Sequence, residues 1–396
     1  MPAEGVDSGD ILAEMDEWGP EKVVCVHDRR LGMRGVLVVD NTARGMGKGG
    51  TRMSPTLTVA EVARLARAMT WKWAAVDLLF GGAKAGIRAD PASPPSAKEE
   101  ILRSFARRLR NEVPGEYVFG LDMGLTEHDA AIVADELGPG TAVGTPAELG
   151  GLPYDQLGIT GYGVAEAADA AGAWLGRPLA GSHVAIQGFG AVGRAVARRV
   201  TELGGTVVAV STVRGGLHRA GGLDVAALTA AAESAGDHCV DDPSAFGATA
   251  VTARDVLFVD ADVLVPAAVQ DVLDAADADR VRARLVVEGA NLPTSGAAQA
   301  ALAGRGVTVV PDTIANAGGA IAAGYAMDAR RSAFAPDPAV AFATVAGKIR
   351  SNTDQVLTAA ARDGITPHAA AHRLAQRRVR QAMLHKGQIR AGAGDR

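Results

Sequence analysis

One stretch, residues 183–203, constrains this chain more than any other. His183-Val184-Ala185-Ile186-Gln187 is a short apolar run that reads as a buried strand, and helical spacing follows from 191 to 203. Between them lies Gly188-Phe189-Gly190-Ala191-Val192-Gly193. A Gly-x-Gly-x-x-Gly alone is weak evidence, but a strand before it and a helix after it give it physical content. Gly188 permits a tight turn, Gly190 lets the backbone approach a pyrophosphate, and Gly193 lets helix and strand pack closely. The helix start at Ala191 and Val192 offers unpaired N–H groups and a partial positive charge to phosphates. Gly188, Gly190, Ala191, Val192 and Gly193 are therefore candidate dinucleotide-binding positions.

Around this turn the pattern alternates. Further strands are expected at 206–210, 263–266, 285–288 and 307–311, which indicates a parallel, doubly wound α/β sheet with helices on both faces. Ahead of it, strands are expected at 23–27 and 35–40, and a short helix within 1–20. Thr58-Val59-Ala60-Glu61 fits a capping box, and apolar residues continue at helical spacing to Trp73, so that helix presents Lys72 near its C-terminal end. Helices are also expected at 98–111 and 129–137. The glycine-rich text from 150 to 162 reads as the approach to a domain junction, and the last stretch as helices returning to the first domain. The expected domains are 1–155, 156–325 and 326–396. The basic run near 377–380 reads as a solvated helix face.

Composition narrows the function. At 396 residues the chain exceeds the roughly 250–300 that one core supports. A net charge of −5 with only 4% aromatics argues against nucleic acid, lacking both a phosphate-neutralising surface and stacking platforms. Cys25 and Cys239 are far apart, and the histidines show no ligand spacing, so neither a disulfide nor a metal site is expected. No apolar run reaches the ~18 residues of a membrane helix and no secretory signal is evident, which implies a cytoplasmic protein with no membrane partner.

The end of the second nucleotide-domain strand bears on cofactor choice. An acidic residue there would bind the adenosine ribose and repel a 2′-phosphate. Ser211-Thr212-Val213-Arg214 stands instead, and Arg214 could pair with a phosphate. With Ser211 and Arg214 as candidate contacts, the balance tilts toward NADP over NAD.

Glycine-flanked lysines dominate the first third: Gly47-Lys48-Gly49-Gly50-Thr51-Arg52, Met69-Thr70-Trp71-Lys72 and Phe80-Gly81-Gly82-Ala83-Lys84-Ala85-Gly86. Reductive amination of a 2-oxo acid needs a cation for the α-carboxylate, an amine of lowered pKa beside the carbonyl, and a carboxylate to move protons. Crowded, buried lysines lower one another's pKa. Lys72 at a helix end and Lys84 in a glycine turn twelve residues later can share a cleft, and Asp122, in another glycine-flanked turn, supplies a carboxylate.

These segments, with Thr160-Gly161-Tyr162-Gly163-Val164, Glu288-Gly289-Ala290-Asn291 and Asn316-Ala317-Gly318-Gly319, make the chain resemble the glutamate/leucine/phenylalanine/valine dehydrogenase family over nearly its whole length. The resemblance implies an N-terminal α/β substrate domain, a Rossmann-type dinucleotide domain and C-terminal helices packing back on the first. It implies that Lys72 binds the substrate α-carboxylate, that Lys84 is the catalytic lysine and that Asp122 transfers protons. Thr160 would touch the nicotinamide carboxamide, and Asn291 and Asn316 would line the nicotinamide–substrate cleft. A homo-oligomer, hexamer or octamer, is implied, with amino acid, 2-oxo acid and ammonia as small-molecule partners.

Substrate choice turns on Lys48. Glutamate-specific relatives place a lysine there for the γ-carboxylate, and a buried apolar substrate beside an unpaired lysine would cost several kcal/mol. Those relatives also carry a serine seven residues after the first asparagine of Asn-Ala-Gly-Gly; here it is Ala323, and Gly120 further widens the pocket. L-Glutamate is the first expectation. A branched-chain or other amino acid, or a catalytically silent regulatory relative, stands as the alternative.

Overall fold

The structure is a computed structural model that describes residues 11–12, 15–154, 156–330 and 332–390. The chain forms two units: one of residues 1–153, 323–338 and 374–396, the other of 154–322 and 339–373. The residues expected as a single C-terminal body, 326–396, thus divide between them.

The first unit is built on a mixed sheet. Its strands are β1 (Lys22–Asp28), β2 (Met33–Asn41), β3 (Gly47–Lys48), β4 (Thr51–Met53), β5 (Gly81–Arg88) and β6 (Tyr117–Val118), in the order β1-β2-β5-β3-β6 with β4 also on β5. β2 runs antiparallel to both β1 and β5, whereas β3 and β4 lie parallel to β5. Helix α1 (Val59–Ala75) starts at Thr58, whose side chain accepts from the Glu61 N–H, and ends one turn past Lys72, as the capping box predicts. It covers Val36 and Val38 of β2 with Val62, Ala63 and Ala66. On the other side, α2 (Pro95–Arg108) and α3 (Glu127–Leu137) enclose a core of Leu37, Ile87, Leu102, Phe105, Tyr117 and Ile132.

One expectation fails here for a steric reason. The glycines beside the lysines serve packing: a Cβ on Gly82 would meet Thr70 Oγ1 at 2.0 Å, and one on Gly49 would meet the Ala83 carbonyl at 1.8 Å. Lys84 accordingly sits inside strand β5 rather than in a glycine turn. The helix expected within 1–20 lies mainly outside the described residues, and 15–20 form a turn closed by a bridge between Asp16 and Gly19.

The second unit holds a seven-stranded sheet of β7 (His183–Gln187), β8 (Thr206–Thr212), β9 (Gly215–His218), β10 (Thr249–Val251), β11 (Val263–Pro266), β12 (Leu285–Val287) and β13 (Thr308–Val310). Its order is β10-β9-β8-β7-β11-β12-β13. Five strands are parallel, as alternation predicts, but β9 and β10 are antiparallel additions. Only Val213 and Arg214 separate β8 from β9, far too few residues for a parallel crossover, which needs about a dozen. The helices are α4 (Ile159–Trp174), α5 (Ala191–Glu202), α6 (Val225–Ala235), α7 (Gly296–Gly304) and the short α8 (Asp312–Ala315), followed by α9 (Gly318–Ala329), α10 (Pro338–Asp363) and α11 (Pro367–His385).

The C-terminal helices do not simply return to the first unit. In the second unit, Phe342 of α10 packs edge-on against Tyr162 of α4, and Arg350 pairs with Glu166 and Asp169. Glu166 is fully buried and needs the two guanidinium partners it has in Arg199 and Arg350, which keeps α10 there. Within the first unit, by contrast, Arg378 of α11 donates to the Ala74 and Ala75 carbonyls at 2.8 and 2.9 Å. The basic run is therefore not only a solvated face: one of its arginines caps the end of α1.

Candidate active site

In the first unit, β-ladders place three of the predicted groups together. Lys84 lies in β5 opposite Val38, flanked by β4, and Leu121 bridges to Thr51 so that Asp122 follows directly behind β4. Asp122 Oδ2 lies 2.8 Å from Lys84 Nζ and accepts from Arg52 Nε at 3.0 Å. Burial alone would raise the Asp122 carboxyl. The charge and hydrogen bond of Lys84, then Arg52, outweigh it and hold the group below its ordinary value. Arg52 is itself tied to Glu61 at the start of α1. Neither Arg52 nor Glu61 was singled out as part of the site, although Arg52 stands within one of the quoted glycine clusters.

Lys48 is the most buried of the lysines, at 2% exposure. Strand β3 seats it between Gly82 of β5 and Val118 of β6, and the Trp73 indole donates to its carbonyl at 2.8 Å. Its amine is pushed down to about 7, first by burial and then by the positive charges of Arg330 and Lys84. No carboxylate among the described residues pairs with it. Lys72 precedes Trp73 in the last turn of α1, so the same indole that anchors Lys48 also fixes the helix end bearing Lys72.

The side-chain pocket differs from expectation at Gly120. A Cβ there would lie 2.8 Å from Lys48 Nζ, so the missing side chain makes room for the lysine head rather than widening the pocket for substrate. Ala323, in the α9 segment of this unit, is buried and offers no hydroxyl. Arg330, further along the chain, donates to the Gly140 carbonyl at 3.1 Å and supplies part of the field on Lys48; sequence reading missed it because nothing in its local text marks it.

In the second unit the dinucleotide turn is formed as the spacing predicts. Helix α5 begins at Ala191 with Gly190 as its cap. A Cβ on Gly190 would meet nothing within 4 Å, whereas one on Gly193 would strike the Gly188 carbonyl at 1.9 Å. The first leaves open space over the helix start and the second presses helix on strand, a cradle that fits a pyrophosphate. Gly188, Ala191, Val192 and Gly193 share that turn. Ser211 is buried behind it: its hydroxyl accepts from the Gly188 N–H at 3.1 Å, so it shapes the turn instead of facing a ribose.

Arg214 is not left to receive a phosphate. Its Nε donates to both carboxylate oxygens of Asp241 at 2.8 and 3.0 Å, and His238 Nδ1 lies 2.9 Å from the same carboxylate. Arg214 and His238 hold Asp241 below its ordinary value. The reading that no carboxylate stands near the end of β8 is thereby corrected. Asp241 follows the short helical turn Gly236–Val240, which Thr212 grips by donating to the Asp237 carbonyl. It is 27 residues distant in sequence from Arg214, beyond the reach of any local pattern.

Thr160, Asn291 and Asn316 also belong to this unit. Asn316 Nδ2 donates to the Ala290 carbonyl and to Asn291 Oδ1 at 3.1 and 2.9 Å. A Cβ on Gly319 would stand 2.8 Å from Thr160 Oγ1, so the start of α9 adjoins the first turn of α4. Among the described residues, no cluster of three His, Cys, Asp or Glu side chains could hold a metal ion, and no helix is long and apolar enough to cross a membrane.

Residues 150–387 match the family described as Glutamate/Leucine/Phenylalanine/Valine dehydrogenase, and residues 20–138 match the Glu/Leu/Phe/Val dehydrogenase dimerisation domain. Glutamate dehydrogenase A2 of Halobacterium salinarum is 38% identical over 290 residues, covering 71% of this chain and 68% of that protein. An NADP-specific glutamate dehydrogenase of Saccharolobus shibatae is 35% identical over 319 residues, covering 76% and 74%. Among solved structures, a hetero-hexameric glutamate dehydrogenase from Thermus thermophilus, in its Leu-bound form, superposes with a TM-score of 0.80. It is 32% identical, and the match covers 94% of this chain and 91% of that one.

Proposed function

We propose that this chain, which belongs to the glutamate/leucine/phenylalanine/valine dehydrogenase family, catalyses the reversible oxidative deamination of L-glutamate to 2-oxoglutarate and ammonia with a nicotinamide dinucleotide. The observation that carries the substrate is Lys48: a buried amine with no protein carboxylate as partner among the described residues is poised for a carboxylate brought from outside. Lys72 takes the α-carboxylate and Lys48 the γ-carboxylate.

The bound dinucleotide supplies the hydride acceptor for the substrate α-hydrogen. Asp122 removes a proton from the substrate ammonium, so that the free amine can drive loss of the α-hydride as an iminium forms. Lys84, with its amine in the neutral form at this step, takes a proton from the water that adds to the iminium carbon. Asp122 returns a proton to nitrogen, then takes the hydroxyl proton as the C–N bond breaks, so that ammonia leaves as the carbonyl forms. One glutamate, one oxidised dinucleotide and one water give 2-oxoglutarate, ammonium, the reduced dinucleotide and one proton. The 2.8 Å contact lets Lys84 and Asp122 exchange protons without solvent. Thr160, Asn291 and Asn316 face the nicotinamide.

Within this reading the preferred dinucleotide is NAD. Arg214 is engaged by Asp241, and that carboxylate, with Asp237 contributing to the same field, opposes a 2′-phosphate. The protein works as a cytoplasmic homo-oligomer, a hexamer by analogy with the Thermus assembly. A panel of 2-oxo acids assayed with ammonia against NADH and NADPH in parallel tests the whole reading. Turnover is expected chiefly with 2-oxoglutarate and NADH. A preference for branched-chain 2-oxo acids would overturn the substrate, and no oxidation with any acid would overturn the activity.

A further inference from the structure

A half-buried histidine that none of the above uses closes a chain of hydrogen bonds leading to the two asparagines. His368, in the first turn of α11, donates through Nε2 to Glu288 Oε2 at 2.8 Å. Glu288, at the end of β12, is 1% exposed, and the same oxygen accepts from the Asp312 N–H at 2.9 Å. Asp312 opens α8, and its Oδ2 accepts from the Leu292 N–H at 2.9 Å. Asn316 ends α8 and donates to Ala290 and Asn291. The Glu288 carboxylate therefore grips the start of a one-turn helix while that helix's last residue grips the loop carrying Asn291. His368 and the Asp312 N–H thus hold the same oxygen of this carboxylate from two sides.

Stability alone is a poor account of the pair. Glu288 Oε1 and His368 Nδ1 are both buried without a hydrogen-bond partner, and such orphaned atoms carry an uncompensated desolvation cost. Two apolar residues of similar volume would fasten α11 to the sheet at no such cost. What an apolar pair could not do is aim an oxygen at the Asp312 N–H.

We infer that His368 is a positioning residue for the nicotinamide end of the dinucleotide site, acting through Glu288 and α8 on Asn316 and Asn291. This rests on the assignment of those asparagines to the nicotinamide. His368→Ala removes the donor, His368→Phe removes it while filling the space, and His368→Gln restores an N–H near the position of Nε2. In the full-length protein, NADH affinity by fluorescence titration, KM for each substrate and melting temperature are measured for all three.

The Ala and Phe variants are expected to weaken NADH binding and raise KM for NADH about tenfold, the loss of one hydrogen bond to a charged group. KM for 2-oxoglutarate should stay within about twofold of wild type, and Gln should recover most of the affinity. If Phe binds NADH as wild type does, or if melting temperature falls while the affinity for NADH holds, His368 is a staple and the inference is wrong. Should the wild-type protein bind NADH yet turn over no 2-oxo acid, the substrate reading fails, while the fluorescence comparison still decides the role of His368.

Discussion

Two charge clusters in this molecule are built in opposite ways. In the first unit, Lys48, Lys84 and Asp122 sit on or directly behind strands, largely out of water, with positions set by the ladder between β3, β4 and β5. In the second, Arg214 on the turn after β8 forms an exposed trio with Asp241 and His238 of the helical turn at 236–241. Buried charges interact in a low effective dielectric, where a small displacement moves a proton or a pKa. Exposed pairs are screened, and a typical one is worth about 0–1 kcal/mol. On the proposed function, the chemistry falls to the rigid cluster, and the choice between two similar dinucleotides falls to the cluster that can change cheaply.

Asp122→Asn should break this contrast most severely. It leaves the shape but removes the proton acceptor and the partner of Lys84, and kcat should fall by about 10²–10⁴-fold in steady-state assays. A loss under tenfold would remove Asp122 from the mechanism.

Lys48→Leu should come next, raising KM for 2-oxoglutarate by roughly 10²-fold with a smaller effect on kcat, because truncating one member of a buried charge pair costs about 2–5 kcal/mol. Gly120→Ala, which crowds the Lys48 amine, should act in the same direction more weakly. Since this amine gives up its proton near 7, the wild-type KM for 2-oxoglutarate should rise as pH climbs above 7, and Lys48→Leu should flatten that profile. The sign for stability follows from the same group. Unfolded, the amine keeps its proton up to about 10.5, so between 7 and 10.5 the unfolded chain carries the extra proton and rising pH favours the fold. Lys48 therefore burdens the fold most below pH 7, and the leucine variant should gain most in melting temperature there.

The smallest effect belongs to the exposed trio. Asp241→Asn frees Arg214 and should raise kcat/KM for NADPH relative to NADH by about tenfold, with melting temperature essentially unchanged because exposed pairs are screened. An unchanged ratio would move cofactor choice away from this turn.

Legibility in the sequence followed the range of each interaction. The Thr58 cap on the Glu61 N–H, the strand before Gly188 and the helix after Gly190 all depend on neighbours within a turn or two, and the structure has them where the pattern puts them. The β8–β9 hairpin was missed although its two-residue connection is local, because β9 is four residues rich in glycine with almost no strand signal. Gly120 was read as empty pocket, since no linear text says that a lysine from another strand fills the gap.

From the amino-acid order alone came the α/β class, the dinucleotide turn, the family resemblance, and the identity of the amines and the acid. These rest on backbone periodicity and on residue types that sit within a few positions of each other. Tertiary structure alone decided that Asp241 holds Arg214, that Arg330 and Lys84 bear on Lys48, and that His368 reaches Glu288 across 80 residues of chain. Charge and hydrogen bonding act through space over a few ångströms, and only the folded backbone determines which distant residues come that close.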